Sequence, residues 1–317
     1  MNTITPSGFD IIGDLHGHYT LLLRLLRQLG YEQRGTSWRH PAGRQAIFVG
    51  DLIDRGPQQV ECVRCVRAMV ETGDAHCILG NHEYNAILHR LGWRQLKSTD
   101  PHHSFLEQAP RGSRAYDECL DWFWQLPAFL HFGNFGVIHA CWDERAIHTL
   151  RVLGMGADGL ITARLYSLAG KGKNAPAGTD EHAAYDALEN ILKGWEMELP
   201  DGVQFVDADG TPRHTIRTRW WDGSAHTWRQ AVFTDGDAPR SIPDTPLPGN
   251  AFQPIALSMP TFIGHYWRRP TPKPTLLSPL LACVDYSAGA GGPLAAYRWN
   301  AGDTPPLRAE RLSLIRP

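Results

Sequence analysis

QAIFVG, Gln45 to Gly50, runs directly into DLIDRGP, Asp51 to Pro57. The first six residues are a short apolar run closed by glycine, which reads as a buried strand. A polar loop follows, and Pro57 opens a stretch from Gln58 to Glu71 with helical spacing. The same unit lies upstream: Phe9 to Gly13 is apolar, and Leu21, Leu22, Leu25, Leu26 and Leu29 recur at helical spacing until Gly30. It recurs downstream, where His76 to Leu79 forms a third strand ahead of GNHE and another helix. Strands alternating with helices predict a parallel sheet covered by helices, with ligands gathered on the loops at the carboxyl ends of the strands. All three of those loops carry polar residues able to bind metal.

Beyond them, Ser113 to Gln125 is expected to be a helix. Ala128–Phe132 and Phe135–Ala140 are expected to pair across a Gly133–Asn134 turn. Between about 150 and 260, Gly, Pro and charged residues interrupt short patterns such as Ala183–Lys193 and the strand-like His214–Trp221. This stretch is expected to be an insertion forming a cap within a single domain of residues 1–317, although ordinary surface elements would look the same. Thr261–Gly264, Leu280–Val284 and Leu294–Trp299 are strand-like again and suggest a second sheet.

With 317 residues and 42% hydrophobic content the chain can build one large core, and no second domain is required. The 31 basic and 33 acidic residues leave a formal charge of -2, so strong nucleic-acid or membrane binding is not expected. MNTITPSGFD lacks the charged and apolar regions of a signal peptide, and nowhere do eighteen apolar residues run together; a cytoplasmic protein is expected. The scattered cysteines suit a reducing compartment. Cys62-x-x-Cys65 falls in a helical stretch without redox context and is expected to be structural.

Four pieces carry chemistry: Gly13-Asp14-Leu15-His16-Gly17, Gly50-Asp51-Leu52-Ile53-Asp54-Arg55-Gly56, Gly80-Asn81-His82-Glu83, and the late histidines His139 and Gly264-His265. Singly, each has a bland explanation as a helix cap, a turn or a structural histidine. The second piece alone has a chance occurrence on the order of 10⁻⁴ in a chain of this length, and all four in this order make accident a poor account. Together they resemble the calcineurin-like metallophosphoesterases, in the branch holding the PPP-type serine/threonine phosphatases and the symmetrical diadenosine tetraphosphate hydrolases. A weaker likeness continues in Cys283-Val-Asp285.

The resemblance implies an α/β fold with two facing sheets flanked by helices, and a dinuclear metal site at the strand ends. It implies that Asp14 and His16 hold the first ion, that Asp51 bridges, and that Asn81, His139 and His265 complete the second. Arg55, with Asn81 beside it, would grip the phosphoryl group, and His82, oriented by Asp54, would give a proton to the leaving oxygen. The residue types agree with this assignment. Carboxylate, amide and imidazole together suit Mn²⁺, Fe²⁺ or Zn²⁺, with Mn²⁺ expected, better than an all-thiolate or all-oxygen set would. Two ions roughly 3.5–4 Å apart would activate a shared water for direct attack on phosphorus. An arginine fork suits phosphate, and a carboxylate fixes the tautomer of its imidazole.

Two departures matter. His265 is followed by Tyr266 and Trp267, so the second histidine of the G-H-x-H form is missing, which points to the phosphomonoesterase-like branch. Cys141 replaces the usual glycine after His139-Ala140; it could touch the site, though a small buried residue there needs no function. Either Arg217 or Arg219 stands where protein phosphatases of this type place a further phosphate-binding arginine, and on a strand both face the same side, opposite Thr218 and Trp220. Exposed arginines on an edge strand would look alike. No spacing recruits His18, His102 or His103, which are expected on the surface or in loops.

The expectation is a metal-dependent phosphatase acting without a phosphoenzyme on a phosphoprotein, nucleotide or small phosphoester, with a slight preference for monoesters. A dinucleoside polyphosphate hydrolase is the alternative: Trp220 and Trp221 could stack a base, but no Lys/Arg run borders the metal loops. A non-catalytic, metal-dependent interaction module is a further alternative. The presence of Asp54 and His82 speaks against it.

Overall fold

The three leading strands align as the alternating pattern requires. In the computed structural model, which describes residues 6–206, 212–236, 238–249, 252–271 and 273–317, Gly8–Ile12, Gln45–Phe48 and Ala75–Cys77 lie parallel and adjacent. Their side chains alternate between faces: Ile11 and Ile47 point one way, Ile12, Ala46 and Phe48 the other. Phe129–His131 and Gly136–Ile138 form the expected antiparallel pair, and Thr261–Ile263 and Leu281–Cys283 extend it in parallel into a second, four-stranded sheet.

The two sheets face each other across an apolar layer. Ile11, Ile47 and Tyr297 of the first sheet meet Val137, Phe262 and Ala282 of the second there. The outer faces are covered by helices, among them Tyr19–Leu29 and Gln59–Glu71, whose buried leucines, valines and cysteines continue the core. Ser113 caps the helix Arg114–Phe123 by accepting the Tyr116 N–H at 3.2 Å.

One strand goes elsewhere. Leu294–Asn300, expected in the second sheet, instead pairs antiparallel with Gly8–Ile12 in the first, and Leu312–Ile315 adds to its far side. The register is fixed by charge: Asp10 is wholly buried opposite Arg298, which donates to it at 2.9 Å, and Arg44 donates to the same carboxylate and to Asn300. Arg298 thus gives the buried carboxylate a second cation beside Arg44, which favours pairing next to the first strand.

Within the stretch from 150 to 260, helices Ala163–Gly172 and Asp180–Lys193 send Leu165, Tyr166, Leu188 and Ile191 into the main core. Strands Glu196–Glu198 and Thr215–Arg217 and the turn Trp228–Ala231 surround a separate small cluster of Met197, Leu199, Ile216, Trp228, Val232 and Ile242. Positions 207–211, 237 and 250–251 of this stretch lie outside the described residues. All six cysteines are buried and unpaired; burial pushes the Cys65 thiol up to about 12, which disarms the Cys62-x-x-Cys65 pair as a redox motif. Among the described residues no helix is long and apolar enough to cross a membrane.

Candidate metal centre

The loops that leave both sheets at their carboxyl ends converge. His16, Asp51, Asp54, Arg55 and His265 all take left-handed backbone conformations there, a concentration of strain that only a tightly determined surrounding sustains. The Asp51 and Asn81 loops touch so closely that a Cβ on Gly80 would sit 2.3 Å from Asp51 Oδ1, so glycine is the one residue that fits. Glu83 ties these loops together: its buried carboxylate accepts the N–H groups of Asp51, Leu52, Ile53 and Gly80 at 2.8–3.3 Å.

Asp51 lies at the centre. Its Oδ2 is 3.7 Å from His16 Nε2, 3.8 Å from His82 Nε2 and 3.3 Å from His139 Nε2, and it belongs to two groups of possible ligands, His16–Asp51–His82 and Asp51–His139–His265. Asn81 Oδ1 adds to the second group, 3.0 Å from His139 Nε2 and 2.7 Å from His265 Nδ1. Asp14 joins from the first strand, its Oδ2 accepting the His265 N–H at 3.0 Å.

The ring orientations suit a cation. His139 donates its Nδ1–H to the Val49 carbonyl at 2.6 Å, and His16 donates its Nδ1–H to the Ile53 carbonyl at 2.9 Å. In the neutral rings both Nε2 lone pairs therefore face inward, that of His139 toward the oxygens of Asn81 and Asp51. Lone pairs facing oxygens repel unless a cation lies among them. Asp14 Oδ1, His16 Nε2 and His265 Nε2 are moreover buried without any hydrogen-bond partner. Burial, then the charges of Asp285 and Asp51, push the Asp14 carboxyl well above its ordinary range. Burial and His82 pull His16 down to about 4, and burial with Arg217 and His139 lowers His265. His139 goes the other way, raised against its burial by Asp51, so positive charge is drawn to the middle of the cluster; a divalent ion there would supply it, with the neutral His16 and His265 as lone-pair donors.

Beside this cluster, His82 Nδ1 is 2.5 Å from Asp54 Oδ2, which leaves Nε2 directed toward the Asp51 side. Burial would lower the His82 pKa, but Asp51 and Asp54 outweigh it and hold the ring up to about 9. Arg55 projects next to it, stacked on Trp267.

Arg217 and Arg219 do share one exposed face, opposite the buried Thr218 and Trp220. Each lies beside a carboxylate, Arg217 3.8 Å from Glu196 and Arg219 3.6 Å from Asp222, but Arg217 is also among the charges that lower the pKa values of His265 and Asp285. Cys141 is fully buried and belongs to neither group of possible ligands. His103 is exposed as expected, but His102 is not a surface residue: it is buried and donates its Nδ1–H to Asp54 Oδ1 at 2.9 Å. Forty-eight residues separate that pair, and no local pattern announces it. Trp220 is wholly buried and offers no free stacking face, while the half-buried Trp221 packs edge-on against Tyr266.

The calcineurin-like phosphoesterase family model matches residues 8–199. The chain is 51% identical over 74 residues to the asymmetrical bis(5'-nucleosyl)-tetraphosphatase PrpE of Halalkalibacterium halodurans, a match covering 23% of this chain and 30% of that one. It is 40% identical over 195 residues to the protein of the same name from Bacillus subtilis, covering 59% of this chain and 78% of that one. It is 33% identical over 147 residues to a symmetrical bis(5'-nucleosyl)-tetraphosphatase of a Marinomonas species, covering 44% and 48%. The chain thus spans under a third of the Halalkalibacterium protein and under half of the Marinomonas one.

Proposed function

The chain belongs to the calcineurin-like phosphoesterase family, and from that premise we propose that it hydrolyses dinucleoside tetraphosphates at a centre of two divalent ions, with Mn²⁺ the preferred metal. The observation that carries the metal centre is Asp51 Oδ2, which faces His16, His82 and His139 at once. Asp14 and His16 would hold one ion, Asn81, His139 and His265 the other, and Asp51 both. Bound there, the ions would supply Lewis-acid stabilisation of the phosphoryl charge and an acidified water.

The chain's own residues do the rest. Arg55 offers its planar fork to the phosphoryl oxygens, with Asn81 alongside. His82 holds a proton at Nε2 for the departing oxygen, and Asp54 fixes its ring through Nδ1. Arg217 adds a second positive charge from the cap formed by the insertion at about 150–260.

The choice of substrate rests on the relatives, which bear the tetraphosphatase name in both its asymmetrical and symmetrical forms. The monoester preference expected from the sequence gives way to it. An assay with Mn²⁺ tests the choice by comparing diadenosine tetraphosphate, an aryl phosphate and a phosphoserine peptide. The tetraphosphate is expected to lead in kcat/KM by about a hundredfold, equal to about 2.7 kcal/mol of differential transition-state binding. Two ADP molecules as products would mark symmetrical cleavage, ATP with AMP asymmetrical cleavage. A monoester turned over as well as the tetraphosphate would sink the assignment.

A further inference from the structure

Arg55 is held in an unusual way. Its backbone is left-handed at φ 79°, its N–H donates to Ser104 Oγ at 2.9 Å, and its stem lies so close to the turn at Gly289 that a Cβ there would be 2.9 Å from Arg55 Cδ. Its Nε is buried without a partner, and among the described residues no carboxylate pairs with its guanidinium. The group facing that guanidinium is the Trp267 indole, whose ring centroid is 4.5 Å from the guanidinium carbon.

Trp267 reaches this position through the turn that carries His265. His265 is left-handed at φ 63° and points to Asn81; Tyr266 turns into an aromatic cluster, 4.8 Å from Phe233 and 5.4 Å from Trp221; Trp267 then emerges half-buried over Arg55. It occupies the position at which the G-H-x-H form carries its second histidine. A carboxylate there would hold the arginine by consuming its N–H donors. An indole holds the cation by its face and leaves the edge of the fork free for an anion.

We propose that Trp267 is the positioning residue of the phosphate contact: it fixes the Arg55 guanidinium by stacking, so that the donor edge is preset toward a phosphoryl group. This inference rests on Arg55 being a phosphate contact, as assigned above. The test uses the full-length, Mn²⁺-loaded protein, with inhibition by inorganic phosphate and kcat/KM on an aryl phosphate as readouts. Trp267→Leu keeps apolar bulk but has no ring face, whereas Trp267→Tyr keeps a ring.

The leucine variant is expected to weaken phosphate inhibition and lower kcat/KM by about tenfold, and the tyrosine variant by no more than about threefold, both with metal content unchanged. In an Arg55→Ala background the leucine change is expected to cost less than about twofold, because the two residues act as one unit. Equal losses in both backgrounds, a leucine variant as good as the tyrosine one, or no loss at all would overturn the proposal. Should the leucine variant fail to fold, Trp267→Met makes the same comparison with the same outcomes. Failure of the proposed function would appear instead in the wild type, as the absence of metal-dependent hydrolysis and of phosphate inhibition.

Discussion

Asp54 Oδ2 lies 2.5 Å from His82 Nδ1, so the imidazole beside the candidate metal cluster is held in one orientation by a buried carboxylate. The other carboxylate oxygen accepts from His102 at 2.9 Å. Burial alone would raise the Asp54 pKa, but the two imidazoles hold it below the usual carboxylate range. The carboxylate is thus fixed from both sides and stays ionised.

If His82 is a proton donor and not a ligand, His82→Asn lowers kcat by roughly 10²–10⁴-fold while metal content stays at the wild-type level. Asp54→Asn acts in the same direction. His102→Ala, which releases only the far side of the carboxylate, lowers kcat by about tenfold. Metal analysis of purified His82→Asn decides the role: an emptied site makes His82 a ligand.

Glu83 accepts four backbone N–H groups from the two loops that carry Asp51 and Asn81. Glu83→Gln turns one of its oxygens into a donor facing donors, which is expected to cost at least about 2 kcal/mol in urea unfolding and to loosen metal retention. Unchanged stability would mean that the loops hold their shape without it.

Gly264 precedes His265, and a Cβ on it would lie 2.1 Å from Asp14 Oδ1. Its backbone needs no positive φ, so the obstacle to alanine is the position of that carboxylate and of Val49 Cγ2, 2.8 Å away. Gly264→Ala is expected to displace Asp14, reduce bound metal and lower kcat by 10²-fold or more, on the order of the loss of an outer ligand partner. Full metal content with normal turnover would remove Asp14 from the centre.

Arg217 and Arg219 share a face and each has a carboxylate neighbour, Glu196 and Asp222, but only Arg217 is among the charges that lower the His265 pKa. Arg217→Ala is expected to lower kcat/KM by about 10- to 100-fold, the value of a charge-assisted hydrogen bond, and Arg219→Ala by less than about twofold. Steady-state kinetics on diadenosine tetraphosphate reads both. Two silent variants would return both arginines to the surface.

The strands and the loops that carry Asp14, Asp51 and Asn81 were legible because each is local: an apolar run, then a polar loop, then a helical repeat. The sheet that Leu294–Asn300 joins was not, since it depends on Asp10 and Arg298, nearly three hundred residues apart. The role of Glu83 was hidden for a related reason. Its position three residues after Gly80 suggests a helix cap, and its second engagement, with the Asp51 loop, exists only once the loops meet. Trp220 is not legible as core because composition cannot distinguish a buried indole from an exposed one; Trp267, which the sequence offers only as a missing histidine, is the indole that stacks on Arg55.

The measurement closest to the central claim is the metal content of the purified protein, determined alongside its hydrolytic activity before and after chelation. Asp51 and the five side chains gathered with it, Asp14, His16, Asn81, His139 and His265, predict close to two transition-metal equivalents, activity lost with them, and activity regained on adding Mn²⁺. Undiminished hydrolysis by rigorously metal-free protein would contradict it.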